Sequence, residues 1–210
     1  MNHIFDFFFG QYATYDIVDI VLEIIAVIFG FLSVWYSKQN NVLVFPTGMI
    51  STVIFVYLLL KWELLGDMMI NAYYFIMSVY GWYFWTKKVD ETHVTPISTI
   101  TIKEKQASIA IFFATLVFVF AVYQIFGKWT SWVAYVDALT TAIFFVGMWL
   151  MAKRKIENWI FWIIGDIISV PLYFYKGFTF TSFQYLGFTV IAIYGFLAWK
   201  KLLNNNQATA

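Results

Sequence analysis

Residues 109–126 read IAIFFATLVFVFAVYQIF, a continuous apolar stretch without a charged residue. It lies within a predicted span, Ala107–Phe126, with the roughly 20 residues that a helix needs to cross the hydrocarbon of a bilayer. A membrane β-strand would alternate apolar and polar residues over about 10 positions, and this stretch does not alternate. It therefore predicts a transmembrane α-helix.

Similar stretches lie on either side of it, so the sequence predicts seven spans. They are Asp16–Tyr36, Val42–Leu60, Met68–Trp85, Ala107–Phe126, Trp132–Ala152, Trp159–Tyr175 and Phe180–Trp199. The composition agrees, because the chain is 62% hydrophobic and 12% charged, about half the charged share of a soluble domain. We therefore expect an all-α integral membrane protein. The net charge of +1 gives no electrostatic reason to expect nucleic-acid binding.

The basic residues predict how the chain is oriented. Ten of the 13 would lie on one side of the membrane, and only Lys61, Lys128 and Lys176 would lie on the other. Loops rich in Lys and Arg stay in the cytoplasm. The N-terminus is therefore predicted to lie outside and the C-terminus in the cytoplasm.

Two parts of the chain resemble each other at a separation of 114 residues. Residues 80–88 read YGWYFWTKK and residues 194–201 read YGFLAWKK. With small gaps, Gly48 falls opposite Gly165. Spans one to three then form one copy, spans five to seven form a second, and an odd connecting span gives both copies the same orientation, as in the parallel repeats of some transporters. Chance similarity between aromatic-rich segments is the alternative.

The repeat predicts five parts of the chain. The middle part contains the polar stretch THVTPISTITIK before the connecting helix. The parts are an extracytoplasmic segment at 1–15, a first three-helix repeat at 16–86, a polar linker and connector helix at 87–131, a second three-helix repeat at 132–201 and a cytoplasmic tail at 202–210.

Acidic residues occur inside the predicted spans. Asp166 lies near the middle of span six, Glu23 near the middle of span one, and Asp137 about one turn into span five. No Lys or Arg lies at midspan to pair with Asp166 or Glu23. Acids without a basic partner in a span are protonated, are hydrogen-bonded or line a wet cavity. Their role is either functional or structural, the structural role being to hold helices together.

Two pairs of side chains suggest a solute site. Asn71 and Tyr74 are three residues apart and share a helix face, as do Trp159 and Trp162. Gln184 adds an amide in span seven. Aromatic faces beside an amide and a phenol suit a flat, ring-containing, hydrogen-bonding solute, and a cationic ring would gain cation–π attraction. Anchoring of the tryptophans at the membrane interface is the alternative.

The sequence contains few residues that could support enzyme catalysis. The chain has no Cys, and its two His, His3 and His93, lie outside the spans, which leaves no metal site or activated nucleophile. No phosphate-binding glycine motif is present. Span seven lacks the midspan Lys that a retinal protein would need. We therefore expect neither catalysis nor a cofactor.

Three segments resemble the PnuC family of bacterial vitamin transporters. They are GDMMINAYYFIMSVYGWYFW at 66–85, KIENWIFWIIGDIISVPLYFYKG at 155–177 and AIYGFLAWKK at 192–201. The resemblance extends over residues 16–201. It implies a 3+1+3 plan of helices related to the SWEET sugar transporters, often assembled as a trimer in the inner membrane.

The resemblance also implies a substrate and a site. Family members take up B-vitamin-type solutes, above all nicotinamide riboside, by facilitated diffusion, and a cytoplasmic kinase traps the solute by phosphorylation. The WxxW signature of the family falls on Trp159 and Trp162, which would sandwich the pyridinium ring. Its NxxY signature falls on Asn71 and Tyr74, which would contact polar groups of the solute.

Other candidates rest on depth or remain open. Asp166 and Gln184 belong to no motif and are pocket candidates because of their depth in the spans. Thiamine, which related subfamilies carry, or another B vitamin is the alternative substrate. A receptor or scaffold without transport activity is the alternative from a different class, although a scaffold has no need for a polar centre.

Overall fold

The computed structural model describes residues 16–62, 65–87, 95–127, 129, 131–176 and 179–208. These residues form seven α-helices, which confirms the predicted all-α class. The helices are α1 (Ile17–Lys38), α2 (Val44–Lys61), α3 (Leu65–Thr86), α4 (Ile102–Ile125), α5 (Trp132–Ala152), α6 (Asn158–Tyr175) and α7 (Thr179–Ala208). Each predicted span coincides with one helix. The predicted segment 1–15 lies outside the described residues, and the predicted tail continues α7 as far as Ala208.

Six of the helices are long and apolar enough to cross a membrane. The exception is α3, whose mean hydropathy is lowered by Asp67, Asn71 and many Tyr and Trp side chains. It nevertheless packs between α2 and α5. Asn71 and Tyr74 of α3 are half-buried among protein neighbours, whereas Asp67, Trp82 and Tyr83 are exposed.

The helices pack as two groups of three. In the first group α2 lies between α1 and α3, and in the second α6 lies between α5 and α7. The groups meet through α3 against α5 and through α1 against α7. Helix α4 packs mainly on α5. We call the end of the bundle that holds the α1–α2 and α5–α6 turns the Arg154 end, and the opposite end the Lys176 end.

The two groups are related by a constant shift of 114 residues. The bounds of α2, 44–61, map onto those of α6, 158–175. The turns match as well, because Asn40 after α1 and Arg154 after α5 both have positive φ, 54° and 56°. No gap is needed, so Gly48 corresponds to Trp162 rather than to the expected Gly165.

Equivalent tryptophans join the two groups at the Arg154 end. The Trp85 Nε1 donates to the Met151 carbonyl at 3.2 Å, and the Trp199 Nε1 donates to the Ser37 carbonyl at 2.9 Å. The Trp85 and Trp199 ring centroids are 5.8 Å apart. Since 85 and 199 are equivalent positions, as are 37 and 151, each bond is the repeat of the other.

Two more rings complete this aromatic layer. Phe45 packs edge-on against Trp85 at 4.9 Å, and its equivalent, Trp159, packs edge-on against Trp199 at 5.6 Å. All four rings are at most 2% exposed. We call Phe45, Trp85, Trp159 and Trp199 the axial layer. It fills the interface between the groups at the Arg154 end.

The described part of the predicted linker, residues 95–101, is bound to the α5–α6 turn. The Arg154 Nη1 donates to the Thr95 carbonyl at 2.5 Å, and the Arg154 guanidinium lies 4.3 Å from the Trp85 ring centroid. The Glu157 carboxylate accepts from the Ile100 N–H at 3.0 Å. Burial lowers the pKa of Arg154 to about 10, so the side chain stays charged at neutral pH.

Candidate solute-binding cavity

A cavity of about 650 Å³ lies between the two groups of helices. All seven helices contribute lining residues. It extends from Val34 of α1, Phe144 of α5 and Ser169 of α6 to Asp67, Ser131 and Lys176 at the Lys176 end. The axial layer lies at the other end of the bundle and contributes no lining residue.

Polar side chains line the cavity from facing helices. Asn71 and Tyr74 of α3 lie on one wall, and Gln184 and Tyr185 of α7 lie on another. The Asn71 Nδ2 donates to the Asp67 carbonyl at 3.0 Å, which fixes the orientation of the amide. The predicted pair in α3 thus does share a face, and that face is directed at the cavity.

Aromatic rings form a second part of the lining. The Phe144 and Tyr185 rings are nearly parallel, 10° apart with centroids separated by 6.1 Å. Tyr173 lies 5.0 Å from Tyr185. A Cβ at Gly165 would overlap the Phe144 ring, so this glycine allows α6 to approach α5 at the cavity wall. These rings offer flat apolar faces to a bound solute.

The remaining predicted residues lie elsewhere. Trp162 packs against Phe144 at 5.4 Å and Tyr74 at 6.4 Å, so it supports two lining rings from behind. Trp159 belongs to the axial layer, where it is 2% exposed. Asp166 is 3% exposed, and neither it nor Glu23 is among the lining residues. The structure therefore brings Asn71, Tyr74 and Gln184 together at the cavity, with Trp162 next to them.

An ion pair lies at the mouth of the cavity. The Lys176 Nζ contacts both carboxylate oxygens of Asp137 at 2.8 Å and lies 4.7 Å from the Tyr173 ring centroid. Asp137, Lys176 and Tyr173 all line the cavity. Sequence reasoning singled out Asp137 but not its partner, because the pair is formed by residues 39 positions apart on different helices.

A second ion pair lies at the same end but outside the cavity. The Lys61 Nζ contacts Asp19 at 2.7 Å and Asp16 at 3.2 Å, which ties the end of α2 to the start of α1. None of these three residues lines the cavity. Each group of helices therefore carries an ion pair at the Lys176 end, at positions that the 114-residue shift does not relate, and only the pair in the second group lines the cavity.

The chemistry of the described residues is that of solute binding. They include no group of three or more His, Cys, Asp or Glu that could hold a metal ion. Apolar helices that enclose a cavity of amide, phenol and aromatic side chains are typical of a multi-pass membrane transporter.

Residues 20–201 match the model of the nicotinamide mononucleotide transporter family, and the chain belongs to that family. The nicotinamide riboside transporter PnuC of Escherichia coli K12 is 21% identical over 205 residues, which cover 85% of this chain and 84% of that protein. The nicotinamide riboside transporter PnuC of Neisseria mucosa is 23% identical over 198 residues, 89% of this chain and 74% of that protein. The predicted family is thereby confirmed.

Two further comparisons concern a different solute and the fold. The riboflavin/roseoflavin transporter RibM of Streptomyces davaonensis is 30% identical over 127 residues, which cover 59% of this chain and 58% of that protein. A crystal structure of the vitamin B3 transporter PnuC superposes with a TM-score of 0.65 and 22% identity, over 97% of this chain and 91% of that one. The fold is therefore that of a known transporter.

Proposed function

We propose that the chain takes up nicotinamide riboside by facilitated diffusion through the cavity between its two groups of helices. The observation that carries this proposal is a cavity that combines near-parallel aromatic rings with amide side chains, in a chain whose relatives include PnuC proteins. A cytoplasmic kinase would phosphorylate the riboside and thereby trap it. The predicted orientation would place the Lys176 end outside a bacterial inner membrane and the Arg154 end in the cytoplasm.

The lining suits each part of this solute. Nicotinamide riboside has a flat pyridinium ring with a fixed positive charge, a carboxamide and a hydroxylated sugar. The rings of Phe144 and Tyr185 would stack on the pyridinium and attract its charge. The amides of Asn71 and Gln184 can pair with the carboxamide or the sugar hydroxyls. The volume of about 650 Å³ lies within the usual range of small-molecule sites, about 300–1,000 Å³.

The predicted site residues would contribute in three ways. Asn71, Tyr74 and Gln184 would contact the solute directly from the lining. Trp162 would hold Phe144 and Tyr74 in place. Trp159 and Asp166 would be reached only in a conformation in which the solute has moved from the cavity toward the Arg154 end.

Alternating access would arise from movement of one group of helices against the other, in the 3+1+3 arrangement of parallel repeats. The constant shift of 114 residues and the paired tryptophan bonds support two equivalent groups that meet at the axial layer. In the described conformation the axial layer fills the Arg154 end, and the cavity lies toward the Lys176 end. Opening toward the cytoplasm would require the rings of the layer to separate. Assembly as a homotrimer is a further expectation from the family.

Riboflavin is the second candidate solute. The similarity to the riboflavin/roseoflavin transporter RibM favours it over thiamine, and the parallel rings that would stack on a pyridinium would also stack on an isoalloxazine. Riboflavin is uncharged, so it would form no ion pair with the carboxylates at the cavity mouth.

Uptake into proteoliposomes that contain the purified protein tests the proposal. We expect saturable uptake of labelled nicotinamide riboside that equilibrates without an ion gradient, and that continues beyond equilibrium when a riboside kinase and ATP are enclosed. Saturable uptake of riboflavin alone would replace the main proposal with the second. Absence of uptake for both solutes would contradict transport of either one.

A further inference from the structure

We propose that Asp137 selects cationic solutes at the mouth of the cavity, and that the incoming cation displaces the Lys176 ammonium from this carboxylate. The inference rests on the proposed transport of a cationic riboside and deepens it. It assigns a recognition role to an ion pair that belongs to neither the WxxW nor the NxxY signature.

The ion pair is placed where a solute would meet it. Asp137 and Lys176 both line the cavity, and their side chains are 18% and 22% exposed. Among the described lining residues Lys176 is the only basic one, while Asp67 and Asp137 are acidic. The lining therefore carries an excess of acidic groups, and its one ammonium is bound to both oxygens of a carboxylate.

Asp137 lies within a helix, whereas Lys176 lies just beyond the end of one. Asp137 lies in the second turn of α5, and its carbonyl accepts from the Thr140 and Thr141 hydroxyls at 3.1 and 2.8 Å. Lys176, by contrast, follows the last residue of α6 and lies five positions beyond Pro171. A proline within a helix removes a backbone hydrogen bond and allows the turns on either side to tilt.

Lys176 also has a second favourable position. Its Nζ lies 4.7 Å from the Tyr173 ring centroid, so it retains a cation–π contact when it leaves the carboxylate. A solute cation that takes its place leaves Asp137 paired at every stage. Exchange of one cation for another avoids the large cost of an unpaired charge in a poorly hydrated site. A neutral or an anionic solute cannot make this exchange.

A purely structural ion pair is the alternative, and the chain provides a matched control for it. Asp19 binds Lys61 at 2.7 Å at the same end of the bundle, but neither residue lines the cavity. If the pair at the mouth only attaches α6 to α5, its removal should resemble removal of the Asp19 pair. If it selects the solute, only changes at Asp137 and Lys176 should alter recognition.

The experiment compares two forms of one solute in proteoliposomes. Nicotinamide riboside is cationic, and its dihydro form has almost the same shape but no charge. We expect Asp137→Asn to raise KM for the cationic form about 10-fold or more, because a close charge contact is lost, and to change KM for the neutral form little. Lys176→Met should lower KM for the cationic form, because the competing ammonium is gone. Asp19→Asn should leave the ratio of the two KM values unchanged.

Each outcome distinguishes this inference from the proposed function. If the unmodified protein shows no saturable uptake of either form, the proposed function fails. If it transports the cationic form, but Asp137→Asn changes both KM values equally or no more than Asp19→Asn does, only the inference is overturned. Should Asp137→Asn not fold, the double variant D137N/K176M, which leaves no unpaired charge, replaces it. That variant should lose the preference for the cationic form, and a preserved preference would overturn the inference.

Discussion

Substitution of Gly195 by alanine tests the axial layer at its tightest contact. A Cβ at this position would lie 2.5, 2.6 and 2.7 Å from three atoms of the Trp159 ring, whereas ordinary contacts begin at 3.4 Å. The ring would have to move by about 1 Å, yet it is 2% exposed and packed against Trp199. Overpacking of this kind costs about 1–3 kcal/mol.

Gly187 in the same helix provides the matched control. A Cβ there would meet no atom within 4 Å. Both substitutions gain about 1 kcal/mol of helix propensity, so their difference isolates the clash with Trp159. We therefore expect Gly195→Ala to be less stable than Gly187→Ala by about 1–3 kcal/mol. For a chain of this size each kcal/mol lowers Tm by about 2–4 °C.

Thermal unfolding of the detergent-solubilised protein measures this difference. Tryptophan fluorescence is a suitable signal because Trp159 and Trp199 lie in the layer that the substitution disturbs. A lower Tm for Gly195→Ala than for Gly187→Ala is expected in the same detergent. Equal Tm values, or a higher value for Gly195→Ala, would refute the close contact between α6 and α7 on which the axial layer depends.

Three further predictions concern the junction and the cavity. Trp85→Phe and Trp199→Phe should each lower stability by about 1 kcal/mol for the lost hydrogen bond plus a packing term, as measured by thermal unfolding. An unchanged Tm for either variant would contradict the hydrogen bond of that tryptophan. Arg154→Lys should destabilise the protein by about 1–2 kcal/mol. A lysine cannot donate to Asn40 and to the Thr95 carbonyl while it also stacks on the ring of Trp85. An unchanged Tm would refute this prediction. Asn71→Ala should raise KM for nicotinamide riboside about 10-fold in proteoliposomes while Tm changes little. An unchanged KM would contradict a contact between the Asn71 amide and the solute.

The sequence predicts the helices well because their signal is local. Apolar runs of bilayer length are visible in the chain, and all seven coincide with helices. The repeat is also visible, but its register needs the structure. From the sequence alone Gly48 and Gly165 are aligned because both are glycines. In the structure, the positive φ of both Asn40 and Arg154 sets the shift at 114 residues without a gap.

The cavity is less predictable because its residue types are also those of a membrane-facing surface. Phe144 lies in the run TAIFFVGMWL, where nothing in the letters distinguishes a ring that lines a cavity from one that faces lipid. Asn71 and Gln184 are identifiable because an amide inside a span must find polar neighbours. Lys176 is missed because its partner, Asp137, becomes a neighbour only when α6 packs on α5.

The repeat also explains why Trp159 lies apart from the cavity. Its equivalent in the first group is Phe45, and the two rings make the same edge-on contact with Trp199 and Trp85. Large rings at equivalent positions of the two groups can fill a symmetric interface between the groups. This information is present in the sequence, because a shift of 114 residues relates position 45 to position 159, but it is usable only once the register is known.

Equivalent positions of the two groups of helices hold similar residues at the junction and different residues at the cavity. This difference has a physical reason. Position 71 holds an amide and its equivalent, position 185, holds a phenol, and both line the cavity; Tyr74 and Phe188 form a second such pair. A junction between two like bodies can be filled by like residues, and Trp85 and Trp199 are identical at equivalent positions. A solute such as a riboside has no two-fold symmetry, so a cavity that contacts it from both sides binds best when equivalent positions differ. For the proposed riboside, the aromatic rings can stay similar on the two sides because a flat ring has two like faces. The amides of Asn71 and Gln184, whose equivalents are Tyr185 and Ile70, would distinguish its edge and its sugar.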